Sequence, residues 1–239
     1  MTWDLEREKI DVVSFSLDRE ETLAIAEGEA WLSRDEKERS EKFRFGELRD
    51  RYIRGRGMLR FILSRYLRCD PADLEFGVGE HGKPYLLDDS LHFNLSHSID
   101  IAVVAVSEIP SIGIDVERFD RDVDYDRLAD RCFRPREWDR FRGLEGAAKA
   151  EAFFWIWTAK EARMKATGEG FRLEPKRIEI AFEGEYPRKC LEPISPRAYL
   201  SPARLPTREA ACTVAALSPF EVRPIPLSQL QNGGDAGKS

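Results

Sequence analysis

The spacing of apolar and polar residues changes along the chain, and the changes outline a succession of strands and helices. From Asp11 to Leu17 (DVVSFSL) apolar residues alternate as a strand requires. Ser33 to Phe45 (SRDEKERSEKFRF) reads as a capped, charged helix, and Tyr52, Leu59, Ile62, Leu63 and Tyr66 recur at helical spacing in a longer one. Leu74 to Val78 and Ile101 to Val106 predict strands. From Ile112 the order recurs: a strand in GIDVE (Gly113 to Glu117), a short helical stretch around RPREWDRF (Arg134 to Phe141), a long helix from Ala147 to Thr167, then strands over Ile178 to Phe182 and Thr213 to Leu217.

Matching elements lie roughly 100 residues apart, too far for a solenoid repeat. The order predicts an α+β fold of two pseudo-equivalent lobes, each a small antiparallel sheet packed with a long helix, related by pseudo-twofold symmetry. The lobes would span 1–111 and 112–225, followed by a flexible tail over 226–239. Pro193 to Pro206 reads as a long excursion, and Asn232 to Ser239 (NGGDAGKS) has nothing to bury.

Composition narrows the class. With 42% hydrophobic and 34% charged residues, the 239-residue chain has the balance of a soluble globular protein. No stretch approaches the ~18 apolar residues of a spanning helix, and Met1 to Lys9 lacks the basic and then apolar order of a secretory signal, which predicts a cytoplasmic protein without a membrane partner. Cys69, Cys132, Cys190 and Cys212 stand far apart, with no zinc or redox spacing. A net charge of -6 argues against nucleic acid as a partner, so an anionic ligand needs a local cluster of cations.

Candidate chemistry begins in GIDVE. Alternation sends Ile114 and Val116 to one face, leaving Asp115 and Glu117 together on the other, about 6.5 to 7 Å apart along the strand. Either that face is solvated or a hard cation sits between the carboxylates. Trp157, Glu161 and Lys165 follow at i, i+4 and i+8, one line along the long helix. The line is either a third carboxylate with a lysine beyond it or an ordinary Glu to Lys pair on an amphipathic helix. Upstream, Lys83 and Pro84 sit in a Gly/Pro turn, and Ser96 and His97 close the run FNLSHS; such groups suit phosphate oxygens, although a histidine in His97's setting also serves a purely structural role. No G-x-S-x-G elbow accompanies it.

Together GKPYL, FNLSHS, GIDVE and WTAKEARMKATGEG, in this order and spacing, resemble the motif set of the 4'-phosphopantetheinyl transferase superfamily in its two-lobed, surfactin-synthetase-activating form. The likeness covers roughly Asp11 to Leu217, including the helix from Ser33 and the Arg-rich stretch Arg49 to Arg60. It implies transfer of the phosphopantetheine arm of coenzyme A to a serine of an apo acyl or peptidyl carrier protein. By the same resemblance Asp115, Glu117 and Glu161 bind Mg²⁺, with Mn²⁺ as the alternative ion. Lys83, Pro84, Ser96 and His97 meet the nucleotide end with help from Arg39; Lys165, one helical turn beyond the catalytic Glu161, reaches the attacked phosphate, and Glu137 is the candidate base. Family members of this form are monomers as a rule.

Arg163, Lys165, Arg172, Lys176, Arg177, Arg188 and Lys189 give the C-terminal half a basic stretch, either a docking surface for an acidic carrier or a solvated loop. Two other classes share these residues: a non-catalytic coenzyme A or carrier-protein binding module, and a metal-dependent phosphohydrolase.

Overall fold

The computed structural model describes residues 5–80, 82–170, 173–191 and 196–232. It is an α+β protein, as the sequence predicts. The N-terminal half runs β1 (Lys9–Ser16), α1 (Ile25–Trp31), α2 (Arg34–Ser40), α3 (Gly46–Leu67), β2 (Phe76–Val78), β3 (Pro84–Leu86), β4 (His92–Ser98) and β5 (Ile101–Ser107). The C-terminal half runs β6 (Ile112–Arg118), α4 (Tyr125–Cys132), α5 (Pro135–Phe141), α6 (Gly146–Thr167), β7 (Glu179–Glu183), β8 (Tyr186–Leu191), β9 (Tyr199–Pro202) and β10 (Ala210–Ala216). The chain then adds β11 (Glu221–Pro224) and α7 (Leu227–Asn232).

One sheet has the order β11-β1-β5-β4 and the other β6-β10-β9-β8-β7, with β2 and β3 a separate hairpin. Alternation along β1 and β5 explains how the layers fit together. Val13, Phe15, Ala102, Val104 and Val106 face α3, whose Met58, Leu59, Ile62 and Leu63 fill that core. The alternate residues Ile10, Val12, Val103 and Ala105 meet Ile112, Ile114, Val116 and Val214 of the second sheet in a shared core. Strands buried on both faces carry few polar positions, hence the apolar run of β5. The helix α6 is also covered nearly all round: Phe153, Phe154 and Ile156 join an aromatic cluster while Ala159, Ala162 and Met164 join another core.

The capped helix expected from Ser33 is α2. Ser33 Oγ accepts from Glu36 N at 3.3 Å, and the Glu36 carboxylate accepts from Ser33 N at 3.0 Å, a reciprocal capping box. Several expectations are corrected. FNLSHS, read as the end of an apolar run, is strand β4. Leu74 to Val78 is strand only from Phe76, because Pro71–Asp73 forms a short 3-10 turn just before it. The Pro-rich excursion contains β9, although 192–195 lie outside the described residues. β11 leaves the second half and pairs parallel with β1 in the first sheet. The segment taken as a tail from 226 opens with α7, whose Leu230 is fully buried in the α3 core; 233–239 lie outside the described residues. Among the described residues no helix is long and apolar enough to cross a membrane.

Candidate active site

The two sheets meet edge to edge, β4 beside β6, and the seam is closed by side chains instead of a backbone ladder. The β6 amides of Ile114, Val116 and Arg118 donate to Asn94 Oδ1 (2.8 Å), Ser96 Oγ (3.4 Å) and Ser98 Oγ (3.2 Å). On the same edge the carbonyl of Ile112 accepts from Lys83 Nζ at 2.7 Å, and that of Ile114 from Lys165 Nζ at 3.1 Å. Two lysines and three small polar side chains thus satisfy an edge strand that would otherwise bury unpaired backbone groups.

The catalytic candidates gather on this seam. Asp115, 5% exposed, takes Ser96 Oγ (2.8 Å) and Lys165 Nζ (2.6 Å) on Oδ1, while its buried Oδ2 has no hydrogen-bond partner. Glu117 Oε2 accepts from Ser98 Oγ at 2.6 Å, and its Oε1 is ion-paired with Arg121. From α6, Glu161 contributes a second buried oxygen without a partner, Oε1. Burial, reinforced by the negative charges of Asp115 and Glu117, pushes the Glu161 carboxyl up to about 7 against the pull of Lys165. Trp157, expected to anchor the helical line, stacks on Phe153 with ring centroids 5.9 Å apart. Among the described residues no three His, Cys, Asp or Glu side chains are gathered closely enough to hold a metal ion as they stand. Lys165 draws Asp115 and Arg121 draws Glu117, each toward its own cation.

What brings α6 this close is Gly113. A Cβ there would come within 2.1 Å of the Ala162 carbonyl oxygen and 2.5 Å of the Ala166 amide nitrogen, so only glycine lets strand and helix backbones touch. Lys83 braces the same junction by donating also to the Lys165 carbonyl (3.0 Å) at the helix C-terminal end. Desolvation and the Lys165 charge lower its pKa to about 8.

A cavity of about 440 Å³ opens beside this junction, lined by Lys83, Pro84, Tyr85, Phe93, Ser111 and the turn from Ala166 to Glu169, among others. Of the five residues expected at the nucleotide end, Lys83 and Pro84 line it. Ser96 is instead 6% exposed and spent on Asp115, Lys165 and β6. His97 is exposed on the alternate side of β4 and does not line the cavity. Arg39 is exposed on α2, its guanidinium 5.7 Å from the Tyr52 ring centre, and does not line the cavity.

Glu137 is not brought to the cleft. It is 1% exposed, ion-paired with Lys160 at 2.7 Å, and accepts from Arg134 N (2.7 Å) and Ile180 N (2.8 Å). Burial disfavours both charges of this pair, which offset that cost in each other. A carboxylate so committed ties α5, α6 and β7 together, and its burial keeps it from a substrate proton. The expected basic surface is also reduced: Arg163 is fully buried and bonded to Thr167 Oγ1 and the Pro196 carbonyl, Lys165 belongs to the site, and Arg172 lies outside the described residues. Lys176, Arg177, Arg188 and Lys189 are exposed; with Arg134, the first two line a cavity of about 330 Å³, and Arg188 pairs with Glu183.

Sequence reading missed Asn94, Ser98, Gly113 and Arg121 as site-building residues. The signal for two of them was present: Asn94, Ser96 and Ser98 sit at i, i+2 and i+4, one side of a strand.

Two family models cover the chain in tandem. Residues 6–109 match "4'-phosphopantetheinyl transferase, N-terminal", and residues 111–215 match "4'-phosphopantetheinyl transferase superfamily". The chain is 44% identical over 165 residues to 4'-phosphopantetheinyl transferase HetI of Nostoc sp., across 67% of this chain and 69% of that protein. It is 32% identical over 171 residues to a phosphopantetheinyl transferase of Thraustochytrium sp., across 66% of this chain and 59% of that protein. With 4'-phosphopantetheinyl transferase Sfp of Bacillus subtilis it shares 29% identity over 145 residues, 60% of this chain and 63% of Sfp. The chain therefore belongs to the 4'-phosphopantetheinyl transferase superfamily, in its Sfp-like form, and is a transferase enzyme of that class.

Proposed function

We propose that the protein moves the 4'-phosphopantetheine group of coenzyme A onto a serine of an apo acyl or peptidyl carrier protein, Mg²⁺-dependently, and releases 3',5'-adenosine bisphosphate. The observation that carries this reading is the pair of buried, unpartnered carboxylate oxygens, Asp115 Oδ2 and Glu161 Oε1, beside the ammonium of Lys165. Hard oxygens left without donors in a field that resists further negative charge are the donor set of a hard divalent cation. Asp115, Glu161 and Glu117 would hold Mg²⁺, or Mn²⁺ in its place. Such an ion, when bound, neutralises charge on the pyrophosphate and polarises the phosphorus under attack.

The chain's own groups account for the rest. The serine oxygen of the carrier forms the new bond to the β-phosphorus as the bond to the bisphosphate oxygen breaks, and the negative charge leaves with the bisphosphate. Lys165, on a flexible stem at the cleft, neutralises phosphoryl oxygens as that charge develops. The serine proton passes, directly or through a water, to an oxygen of the departing bisphosphate. Lys83 and Pro84 frame the nucleotide cavity, and His97 and Arg39, which do not line it, would meet only parts of the nucleotide that extend beyond it. The exposed Lys176 and Arg177 face an acidic carrier. The enzyme works as a cytoplasmic monomer.

Incubation with coenzyme A, Mg²⁺ and an apo carrier tests this. A carrier heavier by one phosphopantetheine arm supports it. An unmodified carrier with release of inorganic phosphate makes the protein a hydrolase, and an unmodified carrier without turnover makes it a binding module.

A further inference from the structure

The seam serines share a regular pair of bonds to β6, to which Ser96 adds a third by accepting from Lys165 Nζ at 2.9 Å. Ser96 accepts from Val116 N and donates to Asp115; Ser98 accepts from Arg118 N and donates to Glu117. In each case the serine takes the amide of one β6 residue and gives its proton to the carboxylate of the residue before it. Because an ionised carboxylate only accepts, the Ser98 hydroxyl gives its hydrogen to Glu117 Oε2 at 2.6 Å while a lone pair takes the Arg118 amide. Ser98 is 5% exposed. Glu117 Oε1 is held by Arg121, four residues on and 41% exposed. The hydroxyl–carboxylate bond is charge-assisted, and Ser98 is the more buried of the two groups that hold Glu117.

We propose that Ser98 is a positioning residue that holds Glu117 on the seam, so the zipper joining the lobes also sets the divalent-cation site. The inference rests on the function proposed above. It assigns Ser98 no contact with substrate.

The test is titration of the protein with Mn²⁺ alone, with free Mn²⁺ read by electron paramagnetic resonance and folding checked by thermal melts. Ser98→Ala should weaken Mn²⁺ binding at least about tenfold, the cost of removing a group that orients a metal ligand. Ser98→Thr, which keeps the hydroxyl, should bind within about threefold of wild type, as the same bond still orients the ligand. Arg121→Ala should bind as tightly as wild type or tighter. Ser98→Ala that binds within about twofold of wild type, or Ser98→Thr no better than Ser98→Ala, overturns the proposal. Should Ser98→Ala fail to fold, Arg121→Ala decides: a tenfold loss there would show that Arg121 and not Ser98 holds the ligand. Glu161→Gln separates the two levels. If it too binds Mn²⁺ like wild type, the cation site itself is wrong; if it loses Mn²⁺ while Ser98→Ala does not, only the role of Ser98 falls.

Discussion

Gly113 of β6 and Ala162 of α6 are in backbone contact: a methyl group on the glycine would stand 2.1 Å from the Ala162 carbonyl oxygen. That contact puts Glu161 and Lys165 within reach of the strand bearing Asp115 and Glu117. The obstructing atoms are backbone, so neither side can rotate away. Gly113→Ala should lower stability by about 3 kcal/mol, at the upper end of overpacking costs, and reduce transfer in the fraction that stays folded. Urea denaturation with a parallel carrier-modification assay checks both; a stable, fully active variant would show that the helix does not need this approach.

Lys165 bridges Asp115, Ser96 and the Ile114 carbonyl. Replacing it by methionine keeps the stem and removes the charge. If the ammonium neutralises the phosphoryl group during transfer, kcat should fall by about 10² to 10³, the cost of losing one such donor. Steady-state kinetics with an apo carrier measure it, and a change confined to KM would move Lys165 from catalysis to binding.

Glu137 and Lys160 form a buried pair away from the cleft. Glu137→Gln should cost about 3 to 5 kcal/mol, because it leaves an uncompensated buried ammonium. Its folded fraction should keep kcat within about threefold of wild type, as expected of a residue that touches no reacting atom. A kcat collapse with an unchanged melting temperature would restore it as the base.

Glu161 gives a pH dependence. Its carboxyl is raised from 4.5 to about 7 in the folded chain, so the folded state holds that proton more tightly than the unfolded state. Stability attached to the group is complete below pH 4.5 and is lost as pH climbs through about 7. With divalent ions chelated, Glu161→Gln should therefore melt above wild type at pH 8, by at most about 3 kcal/mol, and the gap should close toward pH 4.5. Equal melting temperatures at pH 8 would mean that the carboxylate carries no penalty.

The long helices and the GIDVE strand were legible because their periodicity is local and their apolar faces are continuous. Strand β4 was not, since its alternation is brief, with only Phe93 and Leu95 apolar, and Asn94, Ser96 and Ser98 opposite them face a seam where polar side chains replace backbone partners. α7 was hidden by its shortness; it is held by tertiary contact, with Arg65 Nε donating to the Leu230 carbonyl at 3.1 Å. The metal candidates were visible as carboxylates at strand and helix spacing. The misplacement of Glu137 arose because a turn glutamate looks the same in sequence whether its partner is a substrate or a buried lysine.

The most direct measurement is a crystal of the protein grown with coenzyme A and Mn²⁺, with data collected at a wavelength where manganese scatters anomalously. An anomalous peak in contact with Asp115 and Glu161, with Glu117 turned to the same ion, is the predicted result. A peak elsewhere, with Lys165 still seated on Asp115 and coenzyme A bound away from the Lys83 cavity, would contradict it.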